Sequence, residues 1–234
     1  MSPPAAPPFL ALLVLAARRS GGSPPNPFLL LLFAAAFAGF LVLMFWSVRR
    51  QQRRVREQLG ALAARFGLEL RRQPAKLGFE PPPAVEGRYR NRQVRFFNYS
   101  TGSGKNRTTW SAVAAAVGGP GGFTLELLPE NFVTRIATAF GMQDLRVGDP
   151  AFDPVFIVKS SDPAYAIAAL LPEIRARLVE QRRRGVFGHL AVKAGEVRYA
   201  EVGSFDLAAR AARLGDMLDI ACDLAEVAEV YQKP

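Results

Sequence analysis

The sequence predicts an α+β protein in which one N-terminal transmembrane helix is followed by an antiparallel-sheet domain with packed helices. Three observations favour this class. An uncharged, apolar run near the N-terminus is long enough to cross a bilayer, the strand-like segments after it are separated by turn residues, and amphipathic helical patterns follow those segments. Strands that follow one another as hairpins favour antiparallel pairing over a parallel sheet.

The transmembrane prediction is based on the 21 residues from Phe28 to Val48, none of which is charged. At about 1.5 Å of rise per residue the run extends about 31 Å, close to the roughly 30 Å hydrocarbon core of a bilayer. Trp46 lies near its end, where an indole suits the headgroup boundary. Ala35 and Gly39 are spaced as small residues that permit close helix packing, although an alanine-rich segment produces this spacing by chance as well.

A cluster of basic residues, the arginine collar, follows the span directly and consists of Arg49, Arg50, Arg53, Arg54 and Arg56. Two basic residues, Arg18 and Arg19, precede the span. Basic residues near a span are retained on the cytoplasmic side. The sequence therefore predicts an external N-terminal tail and a cytoplasmic C-terminal part.

The basic excess belongs to the membrane segment and not to a nucleic-acid interface. The formal net charge is +10, but 7 of the 30 basic residues lie at or before Arg56. The remaining 23 face all 20 acidic residues, which leaves a net charge of +3 for the rest of the chain. A domain that binds duplexes carries its own basic face. We expect no nucleic-acid partner and expect the collar to meet anionic lipid headgroups.

No catalytic, cofactor or metal motif is evident in the sequence. Cys222 and His189 are the single cysteine and histidine, so no internal disulfide and no zinc site of Cys and His ligands can form. The segment 102–105 (GSGK) lacks the first glycine and the final Ser or Thr of a phosphate-binding loop. We expect no cofactor, and an enzyme is the less favoured class.

The chain is predicted to have four parts: a disordered or extended tail (1–27), the transmembrane helix (28–48), a basic juxtamembrane helix with a proline-rich linker (49–83), and an α+β domain (84–234). Val55, Leu59, Leu62 and Phe66 recur on one helical face, so the membrane helix continues to about Gly67. This stripe either pairs with a second copy or docks on the domain, and docking is favoured.

Within the domain, strand and turn signals predict a meander of four antiparallel strands whose first hairpin turns at Asn91-Arg92. A short helix is expected over 131–140. Further predicted features are a strand near Val155–Lys159, a helix capped by Asp162 with Pro163 at its first position, a second helix opened by Pro172, a hairpin turning at Ala194-Gly195, and a final helix capped by Ser204.

Asp149 and Asp153 lie in the densest polar segment of the chain. Two carboxylates four residues apart suit cation coordination or an acid and base pair. Asp before Pro and Asp at the end of a loop also bond to nearby backbone amides. Capping is the favoured interpretation, and a polar site is the alternative.

The segment 141–160, with its GDPAFD core at 148–153, resembles a signature of uncharacterised bacterial single-pass membrane-anchored proteins with a cytosolic α+β domain of unknown function. The resemblance covers about Leu59 to Val227 and includes the start of the first hairpin at Gly87-Arg88-Tyr89. It implies the bacterial inner membrane, with the C-terminal domain in the cytoplasm. It implies no activity and no catalytic residue.

The leading hypothesis is a bitopic membrane protein whose cytoplasmic module is a protein-interaction scaffold or an accessory subunit of a larger membrane complex. The alternative is a membrane-anchored hydrolase or a ligand or lipid sensor that uses the Asp149 and Asp153 region. In the lipid-sensor form of this alternative, the collar and Arg182–Arg184 would contact the lipid. Expected partners are membrane lipids and another membrane protein or complex, with homo-oligomers left open.

Overall fold

The computed structural model describes residues 26–71, 83–118, 124–129 and 143–231. These residues form four α-helices and one antiparallel sheet of nine strands, which confirms the α+β class. The chain divides between Arg50 and Gln51 into two compact units. The predicted tail, most of the proline-rich linker and the helix predicted over 131–140 lie outside the described residues, and the four-part division stays a prediction.

The helices are α1 (Pro27–Phe66), α2 (Pro163–Ala169), α3 (Pro172–Arg183) and α4 (Ala208–Val230). The strands are β1 (Glu69–Arg71), β2 (Ala84–Tyr89), β3 (Arg92–Thr101), β4 (Thr108–Ala116), β5 (Leu125–Pro129), β6 (Gln143–Leu145), β7 (Phe156–Ser160), β8 (His189–Lys193) and β9 (Glu196–Val202).

Helix α1 has recognisable signals at both of its ends. Asn26 precedes the helix, and its side-chain Oδ1 accepts a hydrogen bond from the Phe28 amide at 3.1 Å. At the other end Gly67 has φ +66, a conformation that glycine adopts without a steric penalty. The Leu68 amide then donates to the Ala63 carbonyl at 2.8 Å. These contacts confirm the predicted helix end near Gly67.

The C-terminal part of α1 docks on the α+β domain that follows it (84–234), which we call the module. The sequence predicts this docking. Val55, Leu59 and Leu62 are 8%, 0% and 4% exposed and belong to the hydrophobic core. The Phe66 ring lies 5.3 Å from the Tyr89 ring, measured between centroids. The apolar stripe of this helix is therefore satisfied within the chain itself and needs no second copy.

The strand order β1-β2-β3-β4-β9-β8-β5-β7-β6 contradicts the predicted meander of four strands. Strand β4 pairs with β9, with Val113 opposite Tyr199, and β5 pairs with β8 and β7. The β8–β9 hairpin therefore lies between two strands that follow each other in sequence. Strands β1 and β6 were not predicted, because segments of three residues are too short for an alternating pattern to be recognised.

The first hairpin turns one residue earlier than predicted. Arg90 and Asn91 occupy the turn with φ +49 and +62, and Arg92 already belongs to β3. Positive φ at both central residues is the geometry whose twist matches paired strands. The predicted turn at Ala194-Gly195 is confirmed, with φ +54 and +76.

Two of the three predicted helix starts in the C-terminal half are confirmed. Asp162 caps α2, because its Oδ1 accepts from the Tyr165 amide at 3.1 Å, and Pro172 is the first residue of α3. The prediction that Ser204 caps the last helix is wrong. Helix α4 begins four residues later, at Ala208, after Leu207, which makes no side-chain cap.

Helix α4 is the central helix of the module. It packs on β4 and β9 and also contacts α2 and α3. Its buried residues are Ala211, Leu214, Gly215, Met217, Leu218, Ile220, Ala221, Cys222, Leu224, Ala225 and Ala228. Small residues on several sides of the helix allow the neighbouring elements to approach it closely.

Gly188→Ala should lower the free energy of unfolding by about 3 kcal/mol, at the upper end of the usual overpacking cost. An added Cβ would lie 1.8 Å from the Ala200 carbonyl oxygen, which the paired strand holds in place. Gly60→Ala is the matched control. Its Cβ would meet nothing within 4 Å in the interior of α1, so the variant should gain about 0.5–1 kcal/mol.

Urea unfolding of the detergent-solubilised chain measures both effects. A Gly188→Ala variant as stable as the wild type would contradict the close approach of these two strands.

Candidate membrane anchor and interaction surface

Every residue from Asn26 to Arg50 is exposed, including Phe28 at 70% and Trp46 at 58%. Among the described residues, α1 is the one helix whose length and composition suit a membrane crossing. A helix that exposes large apolar side chains on all sides is unfavourable in water, because those side chains remain hydrated. This segment is therefore the candidate membrane anchor.

The first two collar residues fold back on aromatic rings one turn earlier. The Arg49 guanidinium lies 4.5 Å from the centroid of the Phe45 ring, and that of Arg50 lies 5.1 Å from the Trp46 ring. A cation over an aromatic face is attracted by the quadrupole of the ring. These pairs place two positive charges beside the aromatic end of the anchor, the arrangement that suits a membrane–water boundary.

The remaining collar residues lie in the same helix, beyond the anchor. Arg53 and Arg54 are exposed and Arg56 is half-buried, whereas Val55 between them belongs to the core. Charged and apolar residues therefore separate onto different sides of this part of α1. Contact between the collar and lipid stays a prediction.

Ala35 and Gly39 lie in the exposed part of α1. A Cβ added at Gly39 would meet no atom within 4 Å. The surface is accessible to another helix, and its role in helix packing stays a prediction.

Asp149 and Asp153 both accept hydrogen bonds from backbone amides of their own loop. Asp149 Oδ1 accepts from the Ala151 amide at 2.9 Å, and the two oxygens of Asp153 accept from the Val147 and Gly148 amides at 3.0 and 2.9 Å. The catalytic alternative requires both carboxylates to face an open cleft. The observed hydrogen bonds are directed at the backbone of the loop instead.

The loop is also attached to α3. Arg175 Nε lies 3.3 Å from Asp149 Oδ2, and the same guanidinium donates to the Val147 carbonyl at 3.4 Å. The polar segment that stood out in the sequence thus has a structural role in closing the loop and holding it against a helix.

A buried charge network was missed by the sequence analysis. Glu201 in β9 is 1% exposed and forms two hydrogen bonds with Arg213 of α4, at 3.0 and 2.6 Å. The Tyr199 hydroxyl donates to the same carboxylate at 3.0 Å and accepts from the Gly188 amide at 2.9 Å. Desolvation by burial raises the pKa of Tyr199 well above its ordinary value, so this hydroxyl stays protonated.

A second network, the acidic row, follows one side of α4. No basic residue occurs between Leu214 and Tyr231, and the row consists of Asp216, Asp219, Asp223, Glu226 and Glu229. Its spacings of three and four residues could have indicated one helical face. The sequence alone, however, does not say which cations lie opposite.

Among the described residues the first hairpin supplies two of those cations, Arg90 and Arg92, and the others are Arg65, Arg177 and Arg184. Arg90 donates to Asp223 at 2.7 Å and to Glu226 at 2.9 Å, and Arg92 donates to Glu229 at 2.9 Å. Asp223 is shared with Arg177 of α3. Arg90 has a left-handed backbone conformation, which costs free energy in a residue with a Cβ. Its ion pairs offset part of that cost. Ion pairs therefore connect the turn of the first hairpin to α4.

An apolar groove opens beside the end of α4. Its volume is about 540 Å³, and its lining residues are Ala168, Leu171, Glu226, Val227, Val230 and Tyr231. The Tyr231 hydroxyl donates to Asp162 at 3.3 Å and its ring lies 5.0 Å from that of Tyr165, so one wall is fixed. The groove is the candidate interaction surface of the module, because exposed apolar clusters mark contact sites.

Cys222 and His189 occupy structural positions. Cys222 is fully buried in α4, and burial raises the pKa of its thiol to about 11. His189 Nε2 lies 3.8 Å from Glu126 across two neighbouring strands. In the part of the chain that the structure describes, no group of three or more His, Cys, Asp and Glu side chains is arranged to hold a metal ion.

Comparisons with known proteins bear on the fold alone. No family model matches the sequence, and no curated protein matches it either. Among solved structures, the chain is similar to the mycobacterial trehalose monomycolate transport factor A, TtfA, with a TM-score of 0.50 and 12% sequence identity. The likeness covers 80% of this chain and 98% of that chain. The two chains therefore share a fold.

Arg213→Ala should lower the free energy of unfolding by about 1.5–3 kcal/mol, because the buried Glu201 loses two charge-assisted hydrogen bonds and keeps, among the described residues, only the Tyr199 hydroxyl and Arg210, whose Nε lies 3.8 Å away. Arg184→Ala is the control, because Arg184 and its partners Glu180 and Asp216 are 56%, 51% and 33% exposed, and such surface pairs contribute less than about 1 kcal/mol each. Chemical denaturation compares the two. Equal effects would contradict the assignment of Glu201 as a buried, paired carboxylate.

The stabilising effect of Glu229 should depend on pH. Hydrogen bonds from Arg92 and from the Gly118 amide lower the pKa of Glu229 below its usual value. A carboxyl group with a lowered folded-state pKa stabilises the fold above its unfolded pKa, about 4.3, and loses that effect as the pH falls through the folded value.

The urea midpoint of Glu229→Gln should therefore lie below that of the wild type at pH 7, and the gap should shrink toward pH 3. A gap of the same size at both pH values would show that the charge of Glu229 has no part in fastening α4.

Proposed function

We propose that this chain is a bitopic inner-membrane protein whose cytoplasmic α+β module is an accessory, non-catalytic subunit of a larger membrane complex. One observation carries the proposal: α1 is a single helix whose N-terminal part is apolar and wholly exposed, while its C-terminal stripe is buried in the module. A chain with this helix needs a bilayer for one part and its own core for the other.

The shared fold supports an accessory role. The mycobacterial protein of similar fold is by its name a transport factor for trehalose monomycolate. By analogy, we propose that this chain also assists a membrane transport assembly and that its module makes the contacts. The likeness in sequence is too low for the cargo itself to be carried over.

The cytoplasmic placement of the module is supported by the distribution of arginines. Five follow the span and two precede it. Positive charges close to a span resist transfer across the membrane, and the more heavily charged flank stays inside.

Cysteine labelling in spheroplasts tests this topology. Cys222 is buried with a raised thiol pKa, so the wild-type chain should not react with a membrane-impermeant maleimide and provides the background. We expect Ser23→Cys, before the span, to react in intact spheroplasts. Ala176→Cys, on the exposed side of α3, should react after lysis only.

Reaction of Ala176→Cys in intact spheroplasts would place the module outside and overturn the proposed topology. Labelling of Cys222 itself in the native chain would overturn its burial.

Co-purification tests the accessory role. We expect the chain, extracted from its own membrane in mild detergent, to migrate with at least one integral membrane protein at fixed stoichiometry. Migration of the chain alone at every detergent concentration would contradict the proposal.

A further inference from the structure

We propose that the apolar groove beside the end of α4 is the docking site for an amphipathic helix of the partner membrane protein, one that carries a Lys or Arg next to its apolar face. The inference rests on the proposed function and names the part of the partner that the module recognises. The groove is formed by Ala168, Leu171, Glu226, Val227, Val230 and Tyr231.

The apolar character of the occupant follows from the apolar side chains that the groove exposes to solvent. Seven large apolar side chains of the module are exposed among the described residues: Leu70, Ile167, Leu171, Val186, Val202, Leu207 and Val230. Two of the seven line the groove, and Ile167 lies one residue from its lining residue Ala168. Scattered apolar residues are ordinary on a surface, whereas a contiguous group around a concavity is typical of a binding site.

The helical form of the occupant follows from the shape of the groove. One side is the junction of α2 and α3, and the other is the last turn of α4. Leu171 and Val230 are 44% and 81% exposed, so the groove is open to solvent and does not enclose a small molecule. Grooves between helices commonly receive the apolar face of a further helix.

The basic residue follows from the charges at the edge. Glu226 is the acidic residue in the lining, and its Oε1 lies 2.9 Å from Arg90 and 4.0 Å from Arg92. No described residue binds Oε2, and the side chain is 47% exposed. A cation beside the apolar face of the occupant would meet the Glu226 carboxylate, and an acidic occupant would be repelled.

Site-specific photocrosslinking in native membranes tests the proposal on the full-length chain. The probe is p-benzoylphenylalanine, placed at position 230 in the groove or at position 186, an exposed apolar position outside the lining. We expect position 230 to give a crosslink and position 186 to give none. The crosslinked peptide should be an amphipathic segment of an integral membrane protein with Lys or Arg beside its apolar residues.

Substitutions test the energetics of the same contact. Leu171→Asp should reduce the recovery of the co-purified partner about tenfold or more, because it places a charge in an apolar contact. Val186→Asp, an equally drastic change at a comparably exposed position, should leave recovery unchanged. Glu226→Gln should cause a smaller loss that diminishes at high salt, since the lost contact is ionic.

Three outcomes would overturn the proposal. They are a crosslink from position 230 to lipid or to a second copy of this chain, a crosslinked peptide without a basic residue, and full partner recovery with Leu171→Asp. Full partner recovery with Leu171→Asp would contradict docking in the groove, but it would be consistent with the proposed accessory role. A wild-type chain that purifies without any partner would instead remove the proposed function, and the docking site with it.

Discussion

Helix α1 must satisfy two different environments along its length, and the rest of the structure depends on how it does so. Its first part presents large apolar side chains in all directions, which is unfavourable in water. Its last part is apolar on one stripe, where Leu59 and Leu62 are buried in the core of the module. The arginine collar marks the change between the two. No other helix among the described residues combines these features.

Charge is used differently in the collar and in the module. The arginines of the module are largely engaged by acids: Arg90 and Arg92 by the acidic row of α4, and Arg213 by Glu201. Arg49 and Arg50 instead lie over the rings of Phe45 and Trp46. Most of the net charge of the whole chain therefore lies at or before Arg56, and the rest of the chain carries a net charge of +3.

The sequence predicts those features that are encoded locally. Hydropathy alone identifies α1, because twenty-one uncharged residues leave few alternatives. Asp162 and Pro163 identify the start of α2, since cap and first-turn residues are specific to a helix N-terminus. Ala194 and Gly195 identify a hairpin turn for a similar reason.

The features that the sequence does not predict depend on distant partners. The insertion of β8 and β9 between β4 and β5 is a matter of long-range pairing, and each strand has the same local pattern in either order. Glu201 looks like any solvated strand residue until Arg213 is brought to it by the fold. The apolar groove likewise arises only when α2 and the end of α4 meet. Asp149 and Asp153 leave two interpretations open in the sequence, because capping and catalysis use the same side chains, and the observed hydrogen bonds agree with the favoured one, capping.

The central claim is that α1 crosses a bilayer and holds the module at the membrane. Alkaline carbonate extraction of membranes containing the full-length chain tests this most directly, since it strips peripheral proteins and leaves spanning ones. The account predicts that the intact chain stays in the membrane pellet. Release of the intact chain into the supernatant would contradict it.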